Sequence, residues 1–439
     1  MSAATLEPEL KRIGREVAAA FPSHALHPMR TLDSKAMELA SRDAELRAAL
    51  FRLVDVTPAC RSLDDLASHL ADYLDEVDER PPPLAAATRM AHSKAGRRAL
   101  GAAAAAGVRH MAHRFIVAES PRDALGDLEA LWRRGIATSA DLLGEATVRQ
   151  EEADRYAERC ADALRTIAEA ASGWPDRPEL EPRTNLSVKV SALTPLLRPD
   201  APELGRDDAA TRMRPLVALS RDLDAHLHID MESLDSLETT VELVFELLEE
   251  AELRDGPSVG LVLQAYLRDS PAQLDRMLAW ARESDRAVPL TVRLVKGAYW
   301  DHEIVEARQQ GWRPPVFEVK ADCDRNFEEL TRRLLDARPL VRVAVGSHNL
   351  RSVSHAIAYN RATGAGDGDL ELQVLRGLGD DLATALASQG FRVRSYCPVG
   401  DLVAGMAYLV RRLLENTSNE SFLHEQARGA DLDELLAAP

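Results

Sequence analysis

Short apolar segments recur at even intervals through the second half of the chain, and helix-like stretches separate most of them. The stretches at 237–250, 271–281 and 327–335 carry apolar residues at helical spacing. Strand alternating with helix, up to eight strands, is typical of a closed parallel (β/α)₈ barrel, an α/β fold. We therefore predict a TIM-type barrel whose strands are residues 186–190, 227–231, 260–266, 290–295, 316–320, 341–347, 370–375 and 391–396.

Polar side chains lie at or near the end of most of these predicted strands. Because such barrels carry their chemistry at the C-terminal ends of the strands, these side chains are the first candidates for a functional site. They are Lys189, Asp230, Gln264, Lys296, His348, Gln373 and Tyr396.

The first 178 residues contain almost no strand-like segment, and apolar residues at helical spacing predict helices at 39–54, 63–74 and 153–170. Residues Thr138 to Asp141 match a capping box that opens a further helix, with Glu145 in its first turns. The proline- and glycine-containing segment at 173–182 predicts a linker. We therefore predict three parts, which are a helical N-terminal arm at 1–178, the barrel at 179–423 and a C-terminal tail at 424–439.

The last predicted helix, at 402–416, has the most specific pattern of charged residues. Tyr408, Arg411, Arg412 and Glu415 follow one another at i, i+3, i+4 and i+7, so they share one face. One interpretation is a solvated stripe with an ion pair between Arg411 and Glu415. The other is a grip on a small anionic substrate, because guanidinium groups bind carboxylates bidentately and the helix follows the eighth strand.

Composition narrows the classes of partner. The 439 residues include 71 acidic and 54 basic ones, and the net charge of −17 argues against nucleic-acid binding. No apolar run reaches the ~18 residues of a membrane span, and the N-terminus lacks the apolar segment of a signal peptide. Cys60, Cys160, Cys323 and Cys397 form no C-x-x-C pair and have no histidine at metal-ligand spacing, which predicts reduced thiols, no metal site and a cytoplasmic location.

Several segments of the predicted barrel resemble the motifs of proline dehydrogenases, and they occur in the same order. The segment RLVKGAYWDHEI at 293–304 resembles the fourth-strand motif of that family. The other matching segments are SVKVSAL at 187–193, QAY at 264–266, SHN at 347–349, YCPVG at 396–400 and YLVRRLLEN at 408–416. The resemblance covers about 180–423, extends weakly into the arm through DLLGEA at 141–146, and is strongest to the proline dehydrogenase part of bifunctional proline-utilisation A proteins, which share the tail NTSNESF at 416–422.

The resemblance implies a role for each matching residue around the substrate. Lys189, Arg411 and Arg412 would hold the carboxylate of proline. The other implied substrate-side roles are an aromatic wall from Tyr396 and Tyr408, a further aromatic from Tyr299, packing on the ring by Leu375, orientation through hydrogen bonds by Asp230, and a gate in which Glu145 pairs with Arg411.

The same resemblance implies a set of residues that contact FAD. Arg293 would lie near the flavin N5, and Glu415 would support the cofactor's end of the last helix. The other implied cofactor positions are Gln264, Val295, Lys296, Gly297, Ala298, Trp300, Lys320, His348, Asn349 and Gln373.

The activity that the resemblance implies is FAD-dependent oxidation of L-proline. Hydride would pass from C5 of proline to N5 of FAD, which gives Δ¹-pyrroline-5-carboxylate, and the reduced flavin would pass its electrons to a quinone at the inner face of a membrane. The cofactor supplies the redox chemistry, while the protein supplies orientation and electrostatics. The expected metabolic partner is a pyrroline-5-carboxylate dehydrogenase, either as a separate enzyme or as a second domain.

Three other functions were weighed against this one. A 4-hydroxyproline dehydrogenase is disfavoured because Tyr396 would crowd a 4-hydroxyl group, and a silent barrel used as a binding scaffold is disfavoured because the matched positions keep the expected residue types. An NAD-dependent oxidoreductase is disfavoured because the glycines at 377 and 379 lack the G-x-G-x-x-G spacing. No basic DNA-binding segment leads the sequence and no aldehyde dehydrogenase domain follows Pro439, so a stand-alone enzyme and a part of a longer protein both stay open.

Overall fold

The chain forms a closed barrel of eight parallel strands, in which each strand pairs with the next and β1 pairs with β8. The structure, a computed structural model, describes residues 3–22, 44–78, 86, 88–90, 93–144, 146–401, 405 and 431–439. The predicted barrel fold is therefore confirmed. Its strands are β1 (Ile136–Leu142), β2 (Asn185–Lys189), β3 (His226–Asp230), β4 (Ser258–Gln264), β5 (Leu290–Val295), β6 (Val341–Gly346), β7 (Leu370–Leu375) and β8 (Val393–Val399).

Helices cover the outside of the barrel and form most of the N-terminal region. Within the described residues they are α1 (Ala3–Ala19), α2 (Ala44–Val56), α3 (Leu63–Asp75), α4 (Lys94–Phe115), α5 (Pro121–Arg133), α6 (Gln150–Ala171), α7 (Pro202–Asp222), α8 (Leu234–Glu249), α9 (Ser270–Ser284), α10 (Trp300–Gln310), α11 (Lys320–Asp336), α12 (Leu350–Ala362), α13 (Asp380–Ser388) and α14 (Leu432–Leu435). None of the helices in these described ranges is long and apolar enough to cross a membrane.

The prediction that Thr138 to Asp141 open a helix is wrong, because these residues lie in the first barrel strand. All seven residues of β1 are buried, and β1 pairs with β8 along its whole length, from Ile136 opposite Val393 to Leu142 opposite Val399. The strand is hard to recognise because its inward positions carry small or polar residues, Ala137, Ser139 and Asp141, rather than large apolar ones. The barrel therefore begins well before residue 179.

The predicted strand at 316–320 is also wrong. Val316 is fully buried and makes a single isolated bridge with Leu267, but Val319 is 57% exposed and Lys320 begins α11. The alternating sequence of this segment imitates a strand, although only one of its apolar residues packs into the core. Exchanging this segment for β1 keeps the strand number at eight. The four predicted strands from 186 to 295 each move up by one place in the order, and the last three keep their places.

The interior of the barrel is unusually polar. Residues at alternate positions of a strand face the same side, so Asn185, Ser187 and Lys189 of β2 point inward while Leu186 and Val188 face the helices. The inward residues make hydrogen bonds across the barrel; the Ser139 Oγ, for example, lies 2.7 Å from the Asn185 Oδ1 and 3.1 Å from the Ser187 Oγ. The apolar core therefore lies mainly between the strands and the surrounding helices.

The N-terminal region has two parts with different packing. Helix α1 packs through Leu6, Leu10 and Ile13 into the apolar core that it shares with the barrel. Helices α2, α3 and α4 instead enclose a small core of their own, which includes Leu46, Leu53, Leu66, Leu70, Leu74 and Leu100. Within the expected helical arm at 1–178, α1, α5 and α6 thus belong to the barrel core, whereas α2, α3 and α4 form a separate helical cluster.

Candidate active site

Four charged or polar side chains meet inside the C-terminal mouth of the barrel, and each comes from a different strand. Asp230 of β3 is at their centre, since the Tyr396 hydroxyl donates to its Oδ2 at 2.6 Å and the Arg293 Nη1 donates to its Oδ1 at 2.9 Å. The Lys189 Nζ lies 3.5 Å from the Asp230 Oδ2. The four residues converge because the strands are parallel, so that β2, β3, β5 and β8 all end at the same face of the barrel.

A fifth member of this cluster, Asp141, carries no predicted role in the sequence analysis. It lies at the end of β1, is fully buried, and its Oδ1 accepts a short hydrogen bond from the Lys189 Nζ. Lys189 therefore lies between two carboxylates, those of Asp141 and Asp230. The signal for Asp141 was present in the sequence as an acidic residue at a strand end, but it depended on recognising β1.

Burial and charge shift the pKa values of these groups in the expected directions. Burial raises the pKa of Asp141, and the neighbouring Lys189 opposes that shift. Burial disfavours the Lys189 ammonium, but Asp141 and Asp230 together raise the pKa of Lys189 above its ordinary value. Burial, followed by the same two carboxylates, raises the pKa of Tyr396 well above 10, so this phenol stays protonated and donates to Asp230.

Arg293 lies inside the barrel and pairs with a carboxylate there. Its side chain is 5% exposed, and its two terminal nitrogens donate to the Asp230 carboxylate and, at 3.3 Å, to the Ser187 hydroxyl. The guanidinium also lies over the Tyr396 ring, 5.5 Å from its centroid. The Arg293 Nε has no partner within the described residues, so one N–H donor remains for a ligand.

A further carboxylate, that of Glu232, lies next to the mouth. Glu232, just after β3, accepts from the Ser191 backbone N–H at 3.2 Å and from the Ser191 hydroxyl at 2.8 Å. Burial raises the pKa of Glu232. Its backbone carbonyl accepts from the Gln264 Nε2 at 3.0 Å, which leaves the buried Gln264 Oε1 as an acceptor without a partner in the described part of the chain.

Two lysines from the predicted cofactor set share one carboxylate. Lys296, after β5, makes a short contact with the Asp324 Oδ1, and Lys320, at the start of α11, lies 2.5 Å from the Asp324 Oδ2. Burial favours the neutral acid, but Lys296 and Lys320 outweigh it and lower the pKa of Asp324. Two ammonium groups with one carboxylate leave a net positive charge at this edge of the mouth, which suits a phosphate-bearing ligand.

The loop between β5 and α10 carries the other residues predicted from the fourth-strand motif. Gly297 has φ = +135°, and a Cβ at this position would lie 2.4 Å from the Tyr266 ring, so only glycine fits. Tyr299 immediately precedes α10, whose first residue, Trp300, is 38% exposed and donates from its indole Nε1 to the Phe317 carbonyl at 2.9 Å. Val295 and Ala298 flank this turn.

The loop after β6 is held to β7 by a histidine. The His348 Nε2 accepts from the Leu375 backbone N–H at 2.8 Å, which fixes the ring at the mouth beside a predicted substrate contact. Asn349 caps α12, since its Oδ1 accepts from the Ser352 N–H at 3.1 Å. His348 and Asn349 of the SHN segment therefore each have a structural task in addition to any contact with a ligand.

The sequence suggested that Gln373 lies at the C-terminal end of its strand, but the structure places it elsewhere. Strand β7 continues to Leu375, and the Gln373 Nε2 donates to the Glu371 Oε1 at 2.6 Å. Gln373 and Glu371 line a cavity of about 680 Å³ at the opposite, N-terminal end of the barrel. This placement corrects the strand-end assignment.

Five predicted site residues, Glu145, Tyr408, Arg411, Arg412 and Glu415, lie outside the described residues. The cations that the structure does describe around Asp230 are already matched by carboxylates: Lys189 and Arg293 face Asp141 and Asp230. A substrate carboxylate would therefore need positive charge beyond these groups. That requirement keeps Arg411 and Arg412 as predictions.

Comparison with known protein families assigns most of the chain. The family model described as "Proline dehydrogenase" matches residues 124–425, and the model described as "Proline utilization A N-terminal domain" matches residues 7–115. The first match begins before β1 and includes all eight strands of the barrel. The second covers a region in which the sequence gave no matching motif, since the weak likeness at 141–146 lies within the first match.

Individual relatives agree with the family models. The chain is 33% identical over 340 residues to "Bifunctional protein PutA" of Salmonella typhimurium, a match that covers 76% of this chain and 25% of the relative. It is 30% identical over 314 residues to "Proline dehydrogenase" of Deinococcus radiodurans, which covers 72% of this chain and 89% of the relative.

A solved structure extends the likeness to the whole fold. The crystal structure of proline utilization A from Bdellovibrio bacteriovorus, inactivated by N-propargylglycine, matches with a TM-score of 0.89 and 32% identity. That match covers 99% of this chain and 44% of the other chain. The chain thus spans a quarter to less than half of the bifunctional relatives it matches.

Proposed function

Because the chain belongs to the proline dehydrogenase family, we propose that it oxidises L-proline to Δ¹-pyrroline-5-carboxylate. The observation that carries this proposal is the cluster of Lys189, Asp230, Arg293 and Tyr396, which come from four strands and meet at the face where barrel enzymes carry their chemistry. Electrons would leave toward a quinone, with contact at a membrane surface.

Asp230 acts as the orienting group of the proposed site. It holds the Tyr396 hydroxyl and the Arg293 guanidinium at the same time, so both side chains have fixed positions. Tyr396 then presents the face or edge of a fixed ring to the substrate, and a fixed ring tolerates added bulk poorly. This rigidity favours proline over 4-hydroxyproline, provided that Tyr396 lies beside the substrate ring.

The substrate carboxylate is assigned to Arg411 and Arg412, with Lys189 as a third cation. Two carboxylates already surround Lys189, so its ammonium contributes a local dipole more than a free charge. The guanidinium groups of Arg411 and Arg412, which the sequence predicts on one helix face, would supply the net positive charge and the bidentate geometry.

The residues present fit FAD as the cofactor. The Gln264 Oε1, which has no partner among the described residues, is an acceptor for an N–H group of the isoalloxazine ring. The Arg293 Nε, likewise without a partner in the described ranges, is a donor toward an electron-rich ring atom. The shared Lys296–Asp324–Lys320 cluster carries the net positive charge that a diphosphate needs. When bound, FAD supplies the hydride acceptor, and the residues of this chain hold, orient and polarise.

The spectrum of the purified protein tests this function directly. A flavin spectrum that L-proline bleaches under anaerobic conditions, with turnover in the presence of a quinone analogue, supports the proposal. Trans-4-hydroxy-L-proline serves as the matched control substrate. Bleaching by the hydroxylated compound alone would assign the chain to the sibling activity, and a colourless protein that binds no added FAD would favour the scaffold.

A further inference from the structure

The separate helical cluster carries three side chains of different chemistry at one point of its surface. Cys60 follows the short 3₁₀ turn at the end of α2, and Asp65 and His69 lie one helical turn apart on α3. One ligand atom from each of the three residues lies within 4.8 Å of the other two. Cys60 and His69 are nine positions apart in the sequence, so the spacing of common zinc motifs gives no sign of this cluster.

We propose that Cys60, Asp65 and His69 form a binding site for a divalent transition-metal ion, for which Zn²⁺ has the best-matched ligand chemistry. Zn²⁺ binds thiolate, imidazole and carboxylate groups, and three protein ligands leave a fourth position for water. All three residues are partly exposed, so a water molecule can reach that position. Mg²⁺ and Ca²⁺ are poor candidates because they prefer oxygen ligands alone.

The carboxylate of Asp65 is oriented for this task. Its Oδ2 accepts from the Arg61 backbone N–H at 2.9 Å, and its Oδ1 faces the His69 Nε2 at 3.7 Å. A separation of 3.7 Å is longer than a hydrogen bond but suits two ligands on one tetrahedral ion whose bonds are ~2.0–2.2 Å. Because one carboxylate oxygen is held by the backbone, the other is positioned before an ion arrives.

Cys60 also has a geometry that an ion can use. Its thiol donates a hydrogen bond to the Val56 carbonyl at 3.4 Å, and a thiol is a weak donor that an ion can displace from such a bond. A thiol with an ordinary pKa of ~8.5 is mostly protonated at neutral pH. Binding of the ion would release that proton to solvent and leave a thiolate, which makes the affinity increase with pH.

The simplest competing explanation is an ordinary pair of charged side chains on a helix surface. The chain supplies a matched example in His302 and Glu306 of α10, where the two groups are also four residues apart and their atoms lie 3.4 Å apart. Among the described residues, no cysteine joins that pair to form a group of three possible ligands. It therefore serves as an internal control for the contribution of the thiol.

The test uses the full chain and Co²⁺ alone as a spectroscopic probe, followed by competition with Zn²⁺. We expect one Co²⁺ per chain with a thiolate-to-cobalt charge-transfer band in the near ultraviolet, and displacement of that band by Zn²⁺. Cys60→Ser should abolish the band, and His69→Gln and Asp65→Asn should each weaken binding at least ~10-fold, since even indirect supporting groups are worth that much. His302→Gln and Cys323→Ser should leave both the band and the affinity unchanged.

Two results would overturn the proposal. One is the absence of a charge-transfer band in the unmodified chain at Co²⁺ concentrations well above that of the protein. The other is a band that persists in Cys60→Ser but disappears in Cys323→Ser, which would move the site to α11. Circular dichroism of each variant checks that α2–α4 remain folded, and His69→Gln keeps the proposal testable if Cys60→Ser does not fold.

Discussion

Both ends of the barrel carry clustered charges, but the two clusters differ in whether their buried polar atoms have partners. At the N-terminal end, Glu371 is held by Arg394 through two bonds of 2.9 and 3.1 Å and by Arg392 at 3.1 Å. No buried polar atom of these three side chains lacks a partner among the described residues. At the C-terminal mouth, the Gln264 Oε1 and the Arg293 Nε have none.

This difference separates stabilisation from binding. A closed network in which every donor and acceptor is satisfied fixes the structure and offers nothing to a ligand. Unpartnered buried atoms cost free energy, so they are expected where a ligand completes them. The comparison therefore assigns a structural task to the N-terminal cluster and a ligand-binding task to the mouth, and the four experiments below can break or sharpen that division.

The largest expected effect is on stability, at the N-terminal end. Glu371→Gln should lower the free energy of unfolding by about 3–5 kcal/mol, because it leaves the buried Arg394 and the partly buried Arg392 without their shared carboxylate. The KM for proline in the remaining folded protein should stay unchanged. Urea unfolding measures the first quantity and steady-state kinetics the second, and a large rise in KM would contradict the division of tasks.

A surface ion pair and the pH provide controls for that variant. Glu238→Gln breaks the exposed pair with Arg276 and should cost no more than about 1 kcal/mol. Although burial opposes ionisation, Arg394 and Arg392 lower the pKa of Glu371 in the folded state. Its stabilisation is therefore fully present above its ordinary pKa and is lost as the pH falls from that value toward the lowered pKa of the folded state, so the wild type should lose more stability than Glu371→Gln as the pH falls below about 5.

The second experiment concerns the charge that the mouth lacks. Arg411→Met and Arg412→Met should each raise the KM for proline at least ~10-fold, because a charge-assisted bond to a buried carboxylate contributes ~1.5–3 kcal/mol. Flavin content should change less. Kinetics with a dye acceptor measure the effect, and an unchanged KM in both variants would remove these arginines from the substrate site.

The third experiment tests the ring that Asp230 fixes. Tyr396→Ser should shift the ratio of kcat/KM toward trans-4-hydroxy-L-proline by ~10–200-fold relative to L-proline, because it removes the clash and adds a hydroxyl partner. Tyr396→Phe is the matched control, since it loses only the 2.6 Å bond to Asp230 and keeps the ring. A shift as large in Tyr396→Phe as in Tyr396→Ser would show that bulk is not the cause.

The smallest expected effect concerns Arg293, and it decides whether the main contact of this arginine is the flavin N5 or the Asp230 carboxylate. If its free N–H donates toward the flavin N5, Arg293→Met should lower the flavin midpoint potential by several tens of millivolts, where ~30 mV corresponds to ~1.4 kcal/mol for two electrons. If its main task is to hold Asp230, the variant should instead melt earlier at an unchanged potential. Spectroelectrochemical titration beside a thermal melt distinguishes these outcomes.

The sequence predicted the strands correctly where apolar segments alternate with helical ones, and it failed where the strand itself carries polar residues. Strands β2 to β8 have apolar outward faces, and the prediction found each of them. The pattern does not predict β1, because Ala137, Ser139 and Asp141 fill its inward positions. The pattern wrongly predicts a strand at 316–320, because apolar and polar residues alternate there although most of the segment is not buried. Periodicity reports only the order of apolar and polar residues in a segment. Whether the segment is a strand depends on its pairing with a neighbouring strand, as β1 pairs with β8.

The site shows the same division. Lys189, Asp230 and Tyr396 could be placed together from sequence because parallel strands end at one face. The pairing of Lys189 with Asp141 could not, since it depends on which strand lies beside β2. Contacts between side chains whose sequence neighbours give no common signal, such as Cys60 with His69, required the coordinates.

The position of β1 has a consequence for how the chain folds. Its pairing with β8 brings together residues from the two ends of the barrel sequence, for example Ile136 and Val393. Contacts between residues so far apart in sequence form slowly. During synthesis, β1 emerges before every other strand and has an open edge until β8 is complete, a state prone to aggregation. Refolding of this chain should therefore depend on protein concentration and chaperones until the last strand closes the ring.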